Sequence, residues 1–83
     1  MTNEAKTWTV DIYLAEEDGH TQARAELRNR DRTLSGRGVA RRRPTDREVP
    51  EIGDELAVAR ALGDLSQQLT AAALDDITAF VNS

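Results

Sequence analysis

The sequence predicts an α+β domain in which three antiparallel strands are followed by two helices, in the order β-β-β-α-α. Between residues 7 and 41, apolar and polar side chains alternate in three runs that polar turns separate. From Pro50 onward, apolar residues instead recur at every third or fourth position, which is the period of a helix. A chain of 83 residues has room for one domain, so we expect a single unit over residues 1–83 with a disordered N-terminus over residues 1–6.

The three strands are predicted at residues 7–15, 21–28 and 33–41, and each has one apolar face. The predicted inner face comprises Trp8, Val10, Ile12 and Leu14, then Ala23, Ala25 and Leu27, then Leu34, Gly36, Gly38 and Ala40. Its side chains are large on the first strand and small on the other two, so a helix could lie close to the second and third strands. Val39 is out of phase with the alternation, which predicts a β-bulge near Gly38.

The C-terminal third is predicted to be helical from Pro50, because a proline at the first helical position loses no hydrogen bond. One helix over residues 50–82 would be about 50 Å long at about 1.5 Å per residue. A nine-residue strand spans only about 30 Å. We therefore expect the helix to break, either at Gly63 or, preferably, within Ala71–Leu74, so that a short second helix follows a long first one.

The predicted helix is apolar on more than one side between Leu56 and Leu62, whereas a helix that packs on one sheet needs only one apolar stripe. A second surface is therefore expected to be covered, either by the short C-terminal helix or by another subunit. For the second alternative we expect a symmetric homodimer, which is the commonest oligomer. The predicted dimer interface comprises Ala57, Val58, Ala61 and Leu65.

Charges are segregated along the chain: the net charge of −4 is the sum of −4 over residues 1–19, +6 over residues 20–47 and −6 over residues 48–83. The overall acidity argues against a general nucleic-acid coat. The middle segment nevertheless predicts one basic patch on the outer sheet face and just beyond it, formed by Arg24, Arg28, Arg37, Arg41, Arg42 and Arg43. This patch could bind the phosphates of RNA or of the ribosome. Alternatively, its arginines only form cross-strand ion pairs with Asp11 and Glu26.

No residue pattern of a catalytic, cofactor or metal site is recognisable. The chain has no cysteine and a single histidine, His20, in a polar turn, whereas a structural metal site needs about four ligands. The segment Ser35-Gly36-Arg37-Gly38 lies within a predicted strand, whereas a phosphate-binding loop joins a strand to a helix. We therefore expect a protein that is not an enzyme and that binds no metal, cofactor or small-molecule substrate.

The sequence also bears on location. No apolar run approaches the roughly 20 residues that span a bilayer. The first six residues lack the apolar core of a secretory signal. We therefore expect a cytoplasmic protein with no membrane partner.

The sequence around the predicted helix start is similar to that of a known family. The residues concerned are the run from Val49 to Leu62, the segment from Gly38 to Pro44 before it, and the strand led by Trp8. They resemble the DUF1876 family, small actinobacterial proteins of unassigned function, over nearly the whole chain. The resemblance implies a three-stranded antiparallel sheet followed by helices, akin to double-stranded-RNA-binding folds, and a homodimer in some members. It also implies a likeness in shape to ribosome-hibernation factors connected with dormancy or hypoxic stress, and it carries no catalytic residues.

Overall fold

The computed structural model describes residues 5–29, 32–41 and 50–82. Three strands, β1 (Thr9–Glu17), β2 (His20–Asn29) and β3 (Arg32–Arg41), are followed by one helix, α1 (Pro50–Asn82). The strands form one antiparallel sheet in the order β1-β2-β3. The predicted α+β class and the helix start at Pro50 are confirmed. Most of the N-terminal segment predicted to be disordered lies outside the described residues.

A two-residue turn between β1 and β2 sets the register of these two strands. Asp18 and Gly19 both have positive φ, 50° and 74°. Such turns twist with the right-handed sense of the flanking strands, and they favour glycine, which has no Cβ to clash. The turn pairs Ile12 with Ala25, and β2 then pairs Ala25 with Gly36. The residues predicted for the inner face therefore lie opposite one another on the same face of the sheet.

The β-bulge predicted near Gly38 is wrong. Pairing between β2 and β3 runs without interruption through Gly38 and Val39, which lie opposite Ala23 and Gln22. Val39 is simply an apolar residue of the outer sheet face, 44 % exposed. The alternation pattern fails here because an outer position can carry an isolated apolar side chain without strain.

The helix lies against the backbone of β3, because that strand has no side chain at the two points of contact. A Cβ built on Gly36 would be 2.3 Å from the Ala61 carbonyl oxygen, and one built on Gly38 would be 2.3 Å from the Ala57 carbonyl oxygen. The helix in turn presents Ala57 and Ala61, both fully buried. This close approach explains the small residues of β2 and β3, which the sequence predicts as a trough.

The predicted break in the helix is wrong, since α1 continues through Gly63 and through Ala71–Leu74 to Asn82. Alanine and leucine have the highest helix propensities, and one exposed glycine costs only about 1 kcal/mol relative to alanine. The helix is also not confined to the length of the strands. The molecule measures 54 × 31 × 18 Å, and its long dimension matches a helix of about 50 Å.

The two edges of the sheet differ. The helix covers the β3 edge with two side chains: Asp64 Oδ2 accepts a hydrogen bond from the backbone amide of Arg37 at 2.8 Å, and Arg60 Nη1 donates to the Val39 carbonyl at 2.7 Å. Near the end of that edge, Arg32 forms a two-bonded ion pair with Asp76 at 3.1 Å. The structure gives β1 no comparable cover among the described residues, so β1 is the accessible edge.

Candidate interaction surfaces

The four predicted basic residues of the strands share the outer face of the sheet. Arg24 lies directly opposite Arg37, Arg28 opposite Thr33, and Arg41 opposite His20. Alternate strand residues point to the same face, so the register brings all four arginines to one side. Arg42 and Arg43, the remaining members of the predicted patch, lie outside the described residues.

Two of these arginines are paired with one glutamate. Glu26 lies between Arg24 and Arg28 and forms ion pairs with both, each at 2.7 Å. The hydrogen bond from Arg28 is the main cause that lowers the pKa of Glu26 below its usual range; partial burial opposes this, and the charges of Arg28 and Arg24 reinforce it. The same hydrogen bond raises the pKa of Arg28. Glu26 therefore pairs with arginines along β2 rather than across strands as predicted, and this group of three charges keeps a net charge of +1.

Tyr13 lies on the same face, beside the arginines. The Arg24 guanidinium carbon is 4.6 Å from the centre of the Tyr13 ring, within the range of a cation–π contact. Tyr13, Arg24, Arg37 and Val39 line an open depression of about 400 Å³ on this face. The face thus offers an aromatic ring and guanidinium groups in one shallow concavity.

Arg37 and Arg41 differ from Arg24 and Arg28. Their side chains form no ion pair within the described part of the chain. Arg37 moreover faces Arg24, and two like charges directly opposite each other destabilise a strand pair. These two guanidinium groups are the ones on this face that an external anion could pair with most readily.

A second surface is apolar, and it lies on the opposite side of the sheet. The helix packs against β3 and β2 and scarcely reaches β1. The inner face of β1, which Trp8 extends by one position before the strand, is therefore uncovered, with Trp8 54 %, Val10 37 %, Ile12 37 % and Leu14 48 % exposed. These side chains form the inner face that the sequence predicts, but a helix does not cover them. The sequence feature that could have predicted this uncovered face is the size of its side chains. The residues on β1 are large, whereas β3 carries glycine and alanine, so the helix can lie close only to β3.

Three of the four residues predicted for the dimer interface are instead buried within the single chain. Ala57 and Ala61 are fully buried and Leu65 is 3 % exposed, and all three belong to the core between helix and sheet. Val58 packs partly against that core. Ala57, Ala61 and Leu65 occupy the stripe that contacts the sheet, so these three residues are not available to another subunit.

The helix has a second apolar stripe on its other side. Leu56 (45 % exposed), Leu74 (59 %), Ile77 (58 %) and Val81 (71 %) are separated by 18, 3 and 4 residues, spacings that return to the same side of a helix. They form two patches about 27 Å apart, because small or polar residues such as Gly63 and Thr70 occupy the outward positions between Leu56 and Leu74. Ile52, 56 % exposed, precedes Leu56 by four residues. We call these five residues the outward stripe. Of the segment from Leu56 to Leu62 in which the sequence predicts an excess, only Leu56 belongs to this stripe, and the other four residues of the stripe lie before or after that segment.

The described residues present no evident chemical centre. These ranges contain no group of three or more histidine, cysteine, aspartate or glutamate residues that could hold a metal ion. His20 begins β2, opposite Glu17. Within the same ranges, no helix is both long enough and apolar enough to cross a membrane.

Comparison with known proteins places the chain in a family. The model of the Rv2632c-like family matches residues 6–83. Mb1767, an uncharacterized protein of Mycobacterium bovis, is 54 % identical over 72 residues, which are 87 % of this chain and 77 % of the relative. Rv2632c, an uncharacterized protein of Mycobacterium tuberculosis, is 47 % identical over 74 residues, which are 89 % of this chain and 80 % of the relative.

The crystal structure of Rv2632c has the same fold. It superposes with a TM-score of 0.89 at 43 % sequence identity, over 98 % of this chain and 96 % of that chain. The matching family model is Rv2632c-like, and the name DUF1876 stays an expectation from sequence. On the family model and on these relatives together, the chain belongs to the Rv2632c-like family.

Proposed function

We propose that this chain is a non-enzymatic binding protein of the cytoplasm that works as a homodimer. The observation that supports the dimer most directly is the uncovered inner face of β1, where four large apolar side chains in a row are 37–54 % exposed. Soluble monomers rarely expose contiguous apolar patches larger than a few hundred Å², and larger ones usually mark an interaction site.

The overall dimensions support the same proposal. A compact domain of 83 residues has a radius of gyration of about 12 Å, whereas that of this chain is 16.9 Å. A compact monomer of 9.2 kDa exposes about 4,900 Å², whereas this chain exposes 7024 Å². A second copy that covers the apolar surfaces would lower the exposed area of each chain toward that of ordinary folded proteins.

Size-exclusion chromatography with light scattering tests the dimer. We expect a molar mass of twice 9.2 kDa at micromolar concentration. A mass of 9.2 kDa at every concentration, with the helical circular dichroism of a folded chain, would contradict the proposal. Stress or dormancy is the cellular setting that the resemblance implies for this dimer.

A second candidate function is binding to RNA or to the ribosome through the outer sheet face, as the likeness to double-stranded-RNA-binding and hibernation-factor folds implies. The specific observation in its favour is that Arg37 faces Arg24 and that neither Arg37 nor Arg41 forms an ion pair among the described residues. Phosphate groups on this face would relieve that repulsion and release counterions.

Charge reversal at Arg37 tests this second candidate. We expect Arg37→Glu to weaken binding to single-stranded RNA by about tenfold at low salt, and to reduce the slope of log affinity against log salt by about 0.7 for each phosphate that is no longer neutralised. The matched control is Lys6→Glu, which changes the net charge equally and lies outside the sheet. RNA titration and ribosome co-sedimentation at low and high salt provide the measurements. Equal RNA binding by wild type, variant and control would contradict binding through the outer sheet face.

A further inference from the structure

The open half of the sheet has the shape of a trough. Its floor is the inner face of β1, in particular Val10, Ile12 and Leu14. Arg60 bonds to the carbonyl of Val39 on β3, so the opposite flank of α1 faces β1 and forms one wall of the trough. Leu62 lies on that flank, because it follows Arg60 by two residues, or about 200° around the helix. Leu62 is 43 % exposed, and Leu69 lines a cavity of about 150 Å³ beside Trp8. Since β1 lies two strand spacings from β3, about 10 Å, the trough is about as wide as one helix.

The described residues outside the trough do not supply an occupant for it. The helix is unbroken and runs along β3 and β2, so no C-terminal helix returns over β1. Residues 42–49 read Arg-Arg-Pro-Thr-Asp-Arg-Glu-Val, and residues 1–4 read Met-Thr-Asn-Glu. Neither segment has the apolar side chains that could bury a face of this size. Of the two covers that the sequence predicts, a second subunit is the one that fits the described residues.

The chain itself carries a surface that fits the trough. The outward stripe of α1, with Leu56, Leu74 and Ile77, is an exposed apolar helix face. An apolar helix face would cover the floor of the trough, and an apolar sheet face would cover the outward stripe. Both surfaces belong to one rigid unit, so they cannot cover each other within one chain. A twofold axis satisfies both at once, because an isologous interface pairs each surface with the other.

The areas agree with this arrangement. The outward stripe is about 43 Å long, whereas the apolar run from Trp8 to Leu14 is about 20 Å long, so the partner's β1 can cover one end of the stripe. The exposed parts of the four inner-face side chains and of that end amount to on the order of 600 Å² per chain, which puts the dimer at the lower end of the standard interface size. Edge-to-edge pairing of two β1 strands is the alternative dimer, but it would leave the inner face of β1 open, since it uses only backbone groups.

We propose that two copies form a three-layer dimer in which the helix of each copy covers the inner face of β1 of the other. The inference rests on the proposed homodimer and specifies its interface. The two helices lie side by side between the two sheets. Each helix contacts its own β2 and β3 with one stripe and the partner's β1 with its outward stripe. The arginine faces then point outward on opposite sides of the dimer.

Aspartate substitutions on the two surfaces test the arrangement. We expect Ile12→Asp, on the floor of the trough, and Leu56→Asp, on the outward stripe, each to raise the dimer dissociation constant by at least about 100-fold, because each buries an unpaired charge. The matched control is Ala15→Asp, which places the same charge on β1 but on its opposite, outer face. This control should remain as dimeric as wild type. Light scattering gives the mass, and circular dichroism checks folding.

Mixing the variants tests reciprocity. A dimer of one Ile12→Asp chain and one Leu56→Asp chain keeps one of its two half-interfaces free of substitution, so the mixture should dimerise more tightly than either variant alone. Trp8, the only tryptophan, should shift its emission to shorter wavelength as dimer forms. If Ile12→Asp fails to fold, the mass of Leu56→Asp and the Trp8 emission of the wild type still test the proposed interface.

The outcomes distinguish this interface from dimerisation as such. Folded Ile12→Asp and Leu56→Asp variants that remain dimeric, beside a dimeric wild type, would overturn this interface and favour edge pairing through β1, while the proposed homodimer would stand. A monomeric wild type would overturn both.

Discussion

Replacing Gly36 with alanine should unfold the protein or destabilise it by at least about 3 kcal/mol, at the upper end of the range for overpacked cores. The added Cβ would lie 2.3 Å from the Ala61 carbonyl oxygen and 2.3 Å from the Leu65 amide nitrogen. Both atoms belong to the helix backbone, so no side-chain rotation can relieve the clash. The helix would have to move away from β3, and Ala57 and Ala61 would no longer pack on the sheet.

Urea and thermal unfolding measure this effect. For a domain of this size, 3 kcal/mol corresponds to a fall in melting temperature of about 12 °C or more. Gly63→Ala is the control, because nothing lies within 4 Å of its Cβ position and alanine is the better helix former. It should be neutral or slightly stabilising. A Gly36→Ala variant as stable as wild type would show that the helix does not lie against the β3 backbone.

Replacing Leu65 with alanine should cost about 2–5 kcal/mol, the range for buried leucines. Leu65 and Leu27 are the only side chains larger than alanine among the buried apolar residues of the described chain. The rest of that core is alanine, so truncation of Leu65 removes a large share of the side-chain packing that holds the helix. The loss in stability is expected to be close to the total stability of many small domains.

Leu62→Ala is the matched comparison for Leu65→Ala, with the same chemistry three residues away but at a side chain that is 43 % exposed. Denaturant unfolding should give a small loss for Leu62→Ala within the single chain, whereas its dimer should be weakened. Leu65→Ala should lose stability equally at all protein concentrations. Equal losses in the free energy of unfolding for the two variants would contradict the placement of Leu65 in the core. They would instead support its predicted place in the dimer interface.

The sheet is predictable from sequence because its pattern is local. Alternation in β1, β2 and β3 assigns every inner residue to a face, and the Asp18-Gly19 turn sets the register. The position of the helix over β3 agrees with the small residues Gly36 and Gly38. The length of the helix is not predictable in this way, because strand length sets no limit on a helix that extends past the sheet.

The surfaces are harder to predict, since periodicity does not tell which apolar stripe contacts which neighbour. It assigns Ala57, Ala61 and Leu65 to a dimer, although they pack on the sheet. Leu56 belongs both to the predicted excess and to the outward stripe, and periodicity alone does not assign it to one stripe or the other. The four strand arginines are correctly predicted to share a face, because they have the same parity. Their pairing with Glu26 depends on side-chain geometry that the sequence leaves open.

The molar mass of the wild-type chain, measured by sedimentation equilibrium from low to high micromolar concentration, is the most direct test of the proposed dimer. We predict a mass of twice 9.2 kDa that falls toward 9.2 kDa only on dilution, with the emission of Trp8 shifting to longer wavelength over the same range. A folded chain of 9.2 kDa throughout, with constant Trp8 emission, would contradict the dimer, and the inner face of β1 would then have to be covered by a different protein.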